Sequence, residues 1–246
     1  MEYIKTGLKA MLLSGFIAFS PLAAMAGNGV EISHLGVNNT LVRIIDDGKY
    51  LLLPVQEANE EASVNILVDG KLEKSLNVRL AKSNVDYTVP LNLEKYRGHD
   101  VVLNIVTTQG RSSVREAKED ACWNILAVAD TFDTSNRERF RPLYHHTPLY
   151  GWMNDPNGMV HQDGVWHLCY QWNPYGSKWQ NLSWGQSTST DLIHWTHQPE
   201  AVLEPDGLGM IFSGSAAIDH TGSAGFGNGA VIAMYTSADA SQIQSL

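Results

Sequence analysis

The residue most able to do chemistry is Asp155, within Trp152-Met153-Asn154-Asp155-Pro156-Asn157-Gly158. A proline disfavours helical backbone at the residue before it, so Asp155 is held extended. Asn157-Gly158 is turn chemistry and is expected to reverse the chain into a strand. A carboxylate fixed there, with the Trp152 indole nearby, presents an acidic group beside an aromatic wall. The same residues also suit an Asx-turn that only shapes the backbone. The local pattern leaves both readings open.

Other reactive side chains carry less. His145 and His146 are adjacent, and neighbours on a strand point to opposite faces, so they do not readily share an ion. His194 and His197 flank Trp195 in an expected turn and read as surface or packing residues. Cys122 and Cys169 have neither CxxC spacing nor a second pair, so they read as small buried hydrophobes rather than as zinc ligands or a disulfide framework. No metal or cofactor is implied. Asp206 and Asp219 lie in no motif that gives them a catalytic role.

Downstream blocks change the reading of Asp155. Tyr170-Gln171-Trp172-Asn173-Pro174 follows it. Next comes the stretch from Trp179 to Trp195, with Trp184-Gly185 and Ser189-Thr190-Asp191-Leu192-Ile193-His194-Trp195. Ile211-Phe212-Ser213-Gly214-Ser215-Ala216 comes last. Together with the Asp155 segment these four ordered blocks closely resemble glycoside hydrolase family 32, the fructan hydrolases and invertases, over roughly residues 137–246. The resemblance implies a five-bladed β-propeller with its site at the mouth of the central channel. It also implies a retaining double displacement on β-fructofuranosyl linkages of levan, inulin or sucrose. By position Asp155 is then the nucleophile. Asn154, Gln171 and Ser213 bind sugar hydroxyls, and Trp152, Met153, Trp179 and Phe212 line the pocket. Gln186 stands where many relatives have His, and Cys169 where an aromatic is common. Retaining glycosidases place two carboxyl groups about 5–5.5 Å apart. The family's second and third acidic residues sit in Arg-Asp-Pro and Glu-Cys segments, and neither segment occurs in this sequence. Without a general acid the expected loss is about 10²–10⁴-fold. The chain is therefore expected to be a fragment of a fructan hydrolase, inactive by itself. The alternative is a non-catalytic fructan-binding or sensing protein.

The elements that must hold these residues are short strands. Strands are expected at Gly158–His161, Val165–Trp172, Leu182–Thr188, Ile211–Asp219 and Val231–Thr236, with turns at Asp163-Gly164 and Asn173-Pro174-Tyr175-Gly176 and no helical period, the pattern of an antiparallel meander. Only 106 residues follow Phe140, and a blade takes about 40–50 by analogy with other propellers, so roughly two blades are expected. Six of the seven tryptophans lie between Trp152 and Trp195; of these, Trp166 and Trp195 read as blade core. Upstream, Tyr50–Val55, Val64–Val68, Ser75–Leu80, Asp86–Leu91 and Asp100–Thr107 alternate as strands. Asp69-Gly70 supplies a hairpin turn. The fold class is all-β: a small sandwich-like accessory domain at 27–110, a linker at 111–140 in which Ser113–Asp120 can form a helical turn or two, and an incomplete propeller at 141–246. The accessory domain carries no recognisable chemistry.

The chain has 246 residues, 43% hydrophobic, which is enough for a packed core, and a net charge of -9. From Arg141 onward only two cations, Arg141 and Lys178, face eight carboxylates. That excludes the cationic face a nucleic-acid binder needs and disfavours an anionic membrane surface. Lys5 and Lys9, the apolar run Ala10–Phe19 and Ala24-Met25-Ala26 read as a secretory signal over 1–26. The mature start is expected near Gly27, followed by export without membrane insertion. The sequence is silent on oligomeric state, on linkage preference and on whether water or a second sugar takes the fructosyl group.

Overall fold

The computed structural model describes residues 28–108, 112–135, 140–202, 209–238 and 244–245. The signal segment at 1–26 and Asp206 lie outside them. The chain is all-β, in two units.

The first unit contains β1 (Val30–His34), β2 (Asn39–Ile44), β3 (Tyr50–Val55), β4 (Ala62–Val68), β5 (Lys71–Val78), β6 (Tyr87–Asn92), β7 (Val101–Thr107) and β8 (Ala127–Ala129). They form two antiparallel sheets, ordered β1-β2-β7-β4-β5 and β6-β3-β8. Alternation decides which face is buried: in β4, Ala62, Val64 and Ile66 point inward while their neighbours are half-buried. Leu51 and Leu53 of one sheet meet Ile66, Leu103 and Ile105 of the other, all fully buried in one core, as in a sandwich. Each such side chain contributes about 1.5–3 kcal/mol. Asp69 and Gly70 have φ of 50° and 77°, the positive pair of a type I′ hairpin turn.

The stretch read as a linker is different in structure. Its described part is built into the first unit. Helix α1 (Val114–Lys118) begins at Ser113, whose Oγ accepts from the Glu116 N–H at 3.3 Å. Helix α2 (Cys122–Ile125) places Cys122 and Trp123 in the core, with Trp123 Nε1 donating to the Ala117 carbonyl at 2.7 Å. Strand β8 then pairs with β3 through Tyr50 and Ala129. Three apolar residues, Cys122, Trp123 and Leu126, outweigh the polar residues around them because those three fill space between the sheets.

In the second unit β9 (Trp152–Gln162), β10 (Val165–Asn173), β11 (Ser183–Ser189) and β12 (Thr196–Val202) form a four-stranded antiparallel meander, the form of a propeller blade. Strands β13 (Met210–Asp219), β14 (Ala230–Ala238) and β15 (Gln244–Ser245) form a second sheet. β13 packs along β9 where Gly158 meets Ala216; a Cβ on Gly158 would stand 2.9 Å from the Ala216 Cβ. A cleft of about 710 Å³ separates the units, bounded by Asp86, Tyr87, Asp133 and Tyr150; Asp155 does not line it.

Candidate active site

Asn-Asp-Pro-Asn-Gly does not make the chain reversal expected of it. Trp152 to Gln162 is one strand, at the edge of its sheet, where Pro156 removes no needed ladder donor. The segment bulges instead. Pro156 pairs with Tyr170 and Met153 with Trp172, so Asn154 and Asp155 together oppose Gln171. A bulge of this kind re-aims side chains. Asn154, Asp155 and Pro156 are exposed, while Asn157 is 2% exposed. A second irregularity, at Gly158 and Met159 opposite Leu168, uses the positive φ of 47° at Gly158. Proline and Asn-Gly, read locally as turn residues, here interrupt the ladder without reversing it.

The neighbouring sheet repeats the device. Ile211 pairs with Ser237 and Gly214 with Tyr235, so Phe212 and Ser213 together oppose Thr236. The two bulges meet: Ser213 Oγ donates to Asp155 Oδ2 at 2.6 Å, a short bond to an anionic acceptor. One residue further along β13 and two along β9, the Gly214 N–H donates to Asn157 Oδ1 at 3.2 Å. Asn157 Nδ2 is buried with no hydrogen-bond partner among the described residues. Gly214 fits against β14 because it lacks a side chain; a Cβ there would fall 2.0 Å from the Met234 carbonyl oxygen.

Below this pair lies a braced floor. Gln171 is 2% exposed, and its Nε2 donates to the Ile211 carbonyl at 3.0 Å. Trp184, fully buried, donates Nε1 to the Phe212 carbonyl at 3.1 Å. Both side chains tie the first sheet to the bulge that carries Ser213. Beside it Trp179, 47% exposed, stands edge-on to Phe212 with ring centroids 6.2 Å apart. Trp152 and Met153 are half-buried, and Met153 packs on Leu168, Tyr170 and Trp172. Asp155, Ser213, Phe212 and Trp179 are thus brought together through contacts. Asn154 shares the bulge. Gln171 sits under it, opposite both residues across the ladder.

The remaining sequence candidates lie apart. His194 pairs with Asp191 at 2.7 Å in an exposed turn, where hydrogen bonds from His194 and Ile193 hold the Asp191 carboxyl well below its ordinary range. His146 Nε2 and His197 Nδ1 both meet Ser187 Oγ, at 2.9 and 3.2 Å. Burial, with His197 and Arg141 nearby, lowers the His146 pKa to about 4. Cys122 and Cys169 are buried and not joined in a disulfide; burial pushes the Cys169 thiol up to about 11. Asp219 is held at about 2, chiefly by the Ala224 N–H in its own turn. The bracing roles of Trp184 and Asn157 were missed in the sequence. For Trp184 the signal was present in the Trp184-Gly185 block; for Asn157 there was none beyond turn propensity.

Two family models match the chain. Residues 36–144 match a domain of unknown function, DUF4980, and residues 145–246 match the glycosyl hydrolases family 32 N-terminal domain. A levanase of Bacillus subtilis is 47% identical over 123 residues, covering 48% of this chain and 18% of the levanase. An extracellular exo-inulinase of Aspergillus niger is 47% identical over 121 residues, covering 46% of this chain and 22% of the inulinase. An invertase of Schwanniomyces occidentalis is 46% identical over 114 residues, covering 42% and 21%. Among solved structures, the exo-inulinase of Aspergillus awamori aligns at 38% identity and a TM-score of 0.39 over 46% of this chain and 24% of that one. The chain thus spans about a fifth of the length of the curated relatives it matches, 18% and 22% in the first two.

Proposed function

Because residues 145–246 belong to glycosyl hydrolase family 32, we propose that the protein hydrolyses β-fructofuranosyl linkages of levan, inulin or sucrose with Asp155 as nucleophile. The observation that carries this is the Asp155–Ser213 pair, built from two facing bulges and open to solvent. Asp155 Oδ1 attacks the anomeric carbon as the glycosidic C–O bond breaks, giving a covalent fructosyl-enzyme. Water then displaces the carboxylate and restores the same anomeric configuration. Ser213, bonded to Oδ2, fixes the carboxylate's orientation so that the other oxygen faces the sugar. Trp179, Phe212 and Trp152 supply the apolar wall and Asn154 meets hydroxyls, while Gln171, expected from sequence to bind sugar, is buried and braces the bulge from below. The proton for the departing oxygen comes from a general acid that we assign to no residue of 1–246, whose sequence lacks the Glu-Cys segment. The first 26 residues direct export, and the units divide near residue 140. Among the described residues no helix is long and apolar enough to cross a membrane.

The test is fructose release by the full-length protein from sucrose, levan and inulin, with and without Asp155→Asn. The wild type is expected to release fructose, and the amide, nearly the same size but a far weaker nucleophile, to reduce release by more than about 10³-fold. Fructan binding without release in the wild type overturns the hydrolase reading in favour of a binding protein.

A further inference from the structure

We infer that the first unit, β1 to β8, serves the active site by clamping the loop that presents Trp179, with Asn181 and Glu57 as the positioning residues. This rests on the fructan-hydrolase reading for its substrate, while the clamp itself stands on the contacts described below.

The loop runs from the end of β10 at Asn173 to the start of β11 at Ser183 and contains no regular element. Such a loop is ordinarily the mobile part of a fold. An aromatic that packs on a sugar has to be held to within about 0.5 Å. The loop's own bonds go partway. Asn173 Nδ2 donates to the Lys178 carbonyl at 2.8 Å, and Asn173 Oδ1 accepts from the Tyr175 N–H at 3.0 Å. The rest comes from the first unit. Tyr175 leaves its own sheet and is buried, 7% exposed, in the first unit's core. The Ser177 N–H donates to Glu57 Oε1 at 3.1 Å, and Lys178 Nζ to the Glu57 carbonyl at 3.2 Å. Gln180 Nε2 donates to Glu61 Oε2 at 3.2 Å, while the other Glu61 oxygen holds Arg79 at 2.7 Å.

Asn181 closes the clamp. Its Oδ1 accepts from the Asn77 N–H at 2.8 Å and its Nδ2 donates to the Asn77 carbonyl at 2.8 Å. The side-chain amide therefore pairs with edge strand β5 as a neighbouring strand's peptide would, using edge groups that would otherwise face water. The Asn181 backbone has φ of 47°, a conformation asparagine tolerates better than most residues. Its Nδ2 also reaches Asn173 Oδ1 at 3.1 Å, linking the two ends of the loop. Glu57 is held in turn by the Tyr87 hydroxyl. Trp179 is flanked on both sides by residues bonded to the first unit, and its ring projects to Phe212. Phe212 adjoins Ser213, the partner of Asp155. The sandwich thus sets one wall of the pocket without touching substrate.

The experiment is a double-mutant cycle in the full-length protein between Asn181→Ala and Trp179→Ala, read as KM and kcat on sucrose. Asn181→Ala is expected to raise KM about 5–10-fold with kcat within about twofold, and to add nothing once Trp179 is gone, because it acts through that ring. Effects that multiply in the double variant overturn the proposal. Amide exchange is read in parallel on the same proteins. Asn181→Ala is expected to speed exchange at 177–182 while leaving β3 and β4 protected; unchanged exchange there also overturns it. If Asn181→Ala does not fold, Glu57→Ala, which removes the first unit's acceptor for the Ser177 N–H on the other side of Trp179, takes its place with the same expectations. A wild type that releases no fructose defeats the functional reading, and the exchange result then still decides whether the clamp exists.

Discussion

Among the described residues Asp155 is hydrogen-bonded by the Ser213 side chain, and that contact makes Ser213 the sharpest residue to test. In the proposed reaction the 2.6 Å bond from Ser213 Oγ would orient the carboxylate for attack along one line. Hydrogen bonds to charged groups contribute about 1.5–3 kcal/mol, so Ser213→Ala is expected to lower kcat/KM about 10–100-fold, with the loss mainly in kcat; a loss confined to KM would mean that Ser213 binds sugar and does not orient Asp155. A second residue-scale effect concerns stability alone. His146 Nδ1 is buried without a partner among the described residues, and its pKa of about 4 lies below the ordinary 6.5. Above pH 6.5 neither the folded nor the unfolded chain is protonated there. As pH falls from 6.5 towards 4, only the unfolded chain takes up the proton, so stability falls; below 4 both are protonated and the loss levels off. Because the ring is only half-buried, the loss is of order 2 kcal/mol rather than the full product of the shift. Urea midpoints measured across that window should fall in the wild type and stay flatter in His146→Gln.

Strands were easier to read from sequence than what interrupts them. Tyr50–Val55 came out as read, and Asp69-Gly70 adopted the turn its residues demand, because each depends on neighbours within a few positions. β1, β2 and β12 went unread: β12, Thr-His-Gln-Pro-Glu-Ala-Val, is half-buried at most and takes its conformation from pairing with β11. The bulges were the consequential miss. Nothing within Asn-Asp-Pro-Asn-Gly distinguishes a reversal from a bulge; the choice is made by β10, whose ladder continues on either side of Gln171. The family resemblance pointed to Asp155 and Ser213 separately, but only the packing of β13 along β9 brings the two bulges face to face. That contact depends on close approach, which makes glycine the element-scale test. At Gly214 a Cβ would lie 2.0 Å from the Met234 carbonyl oxygen and 2.7 Å from the Tyr235 Cα, atoms of a backbone that cannot swing aside. Gly214→Ala is expected to destabilise by about 1–3 kcal/mol and to lower activity by moving Ser213 from Asp155. Unchanged thermal unfolding would show that β14 slides freely past β13.

The two units share more than a boundary. A run of edge-on aromatic pairs, Tyr50 to Phe132, Phe132 to Tyr150 and Tyr150 to Trp172, each 5.1 Å between centroids, leads from β3 of the first unit to β10 of the second. Trp172 Nε1 also donates to the Tyr150 carbonyl at 2.8 Å. Tyr175 goes further and completes the first unit's core with a side chain from the second. In sequence terms residues 27–110 looked chemically idle and 111–140 looked like a tether, because neither the Tyr175 contact nor the burial of Trp123 leaves a local pattern. A tethered accessory domain would unfold independently of the second unit, whereas a core completed by its neighbour should not. Truncating a buried aromatic typically costs about 3–5 kcal/mol, and here that cost falls on the coupling as well as on the core. In calorimetry of the full-length protein, these two units are therefore expected to unfold in one transition, which Tyr175→Ala splits by lowering the melting temperature of the first unit ahead of the second. Two separate transitions already in the wild type would mean that the aromatic bridge and Tyr175 contribute little coupling. The first unit would then be a passenger in stability, whatever it does for Trp179.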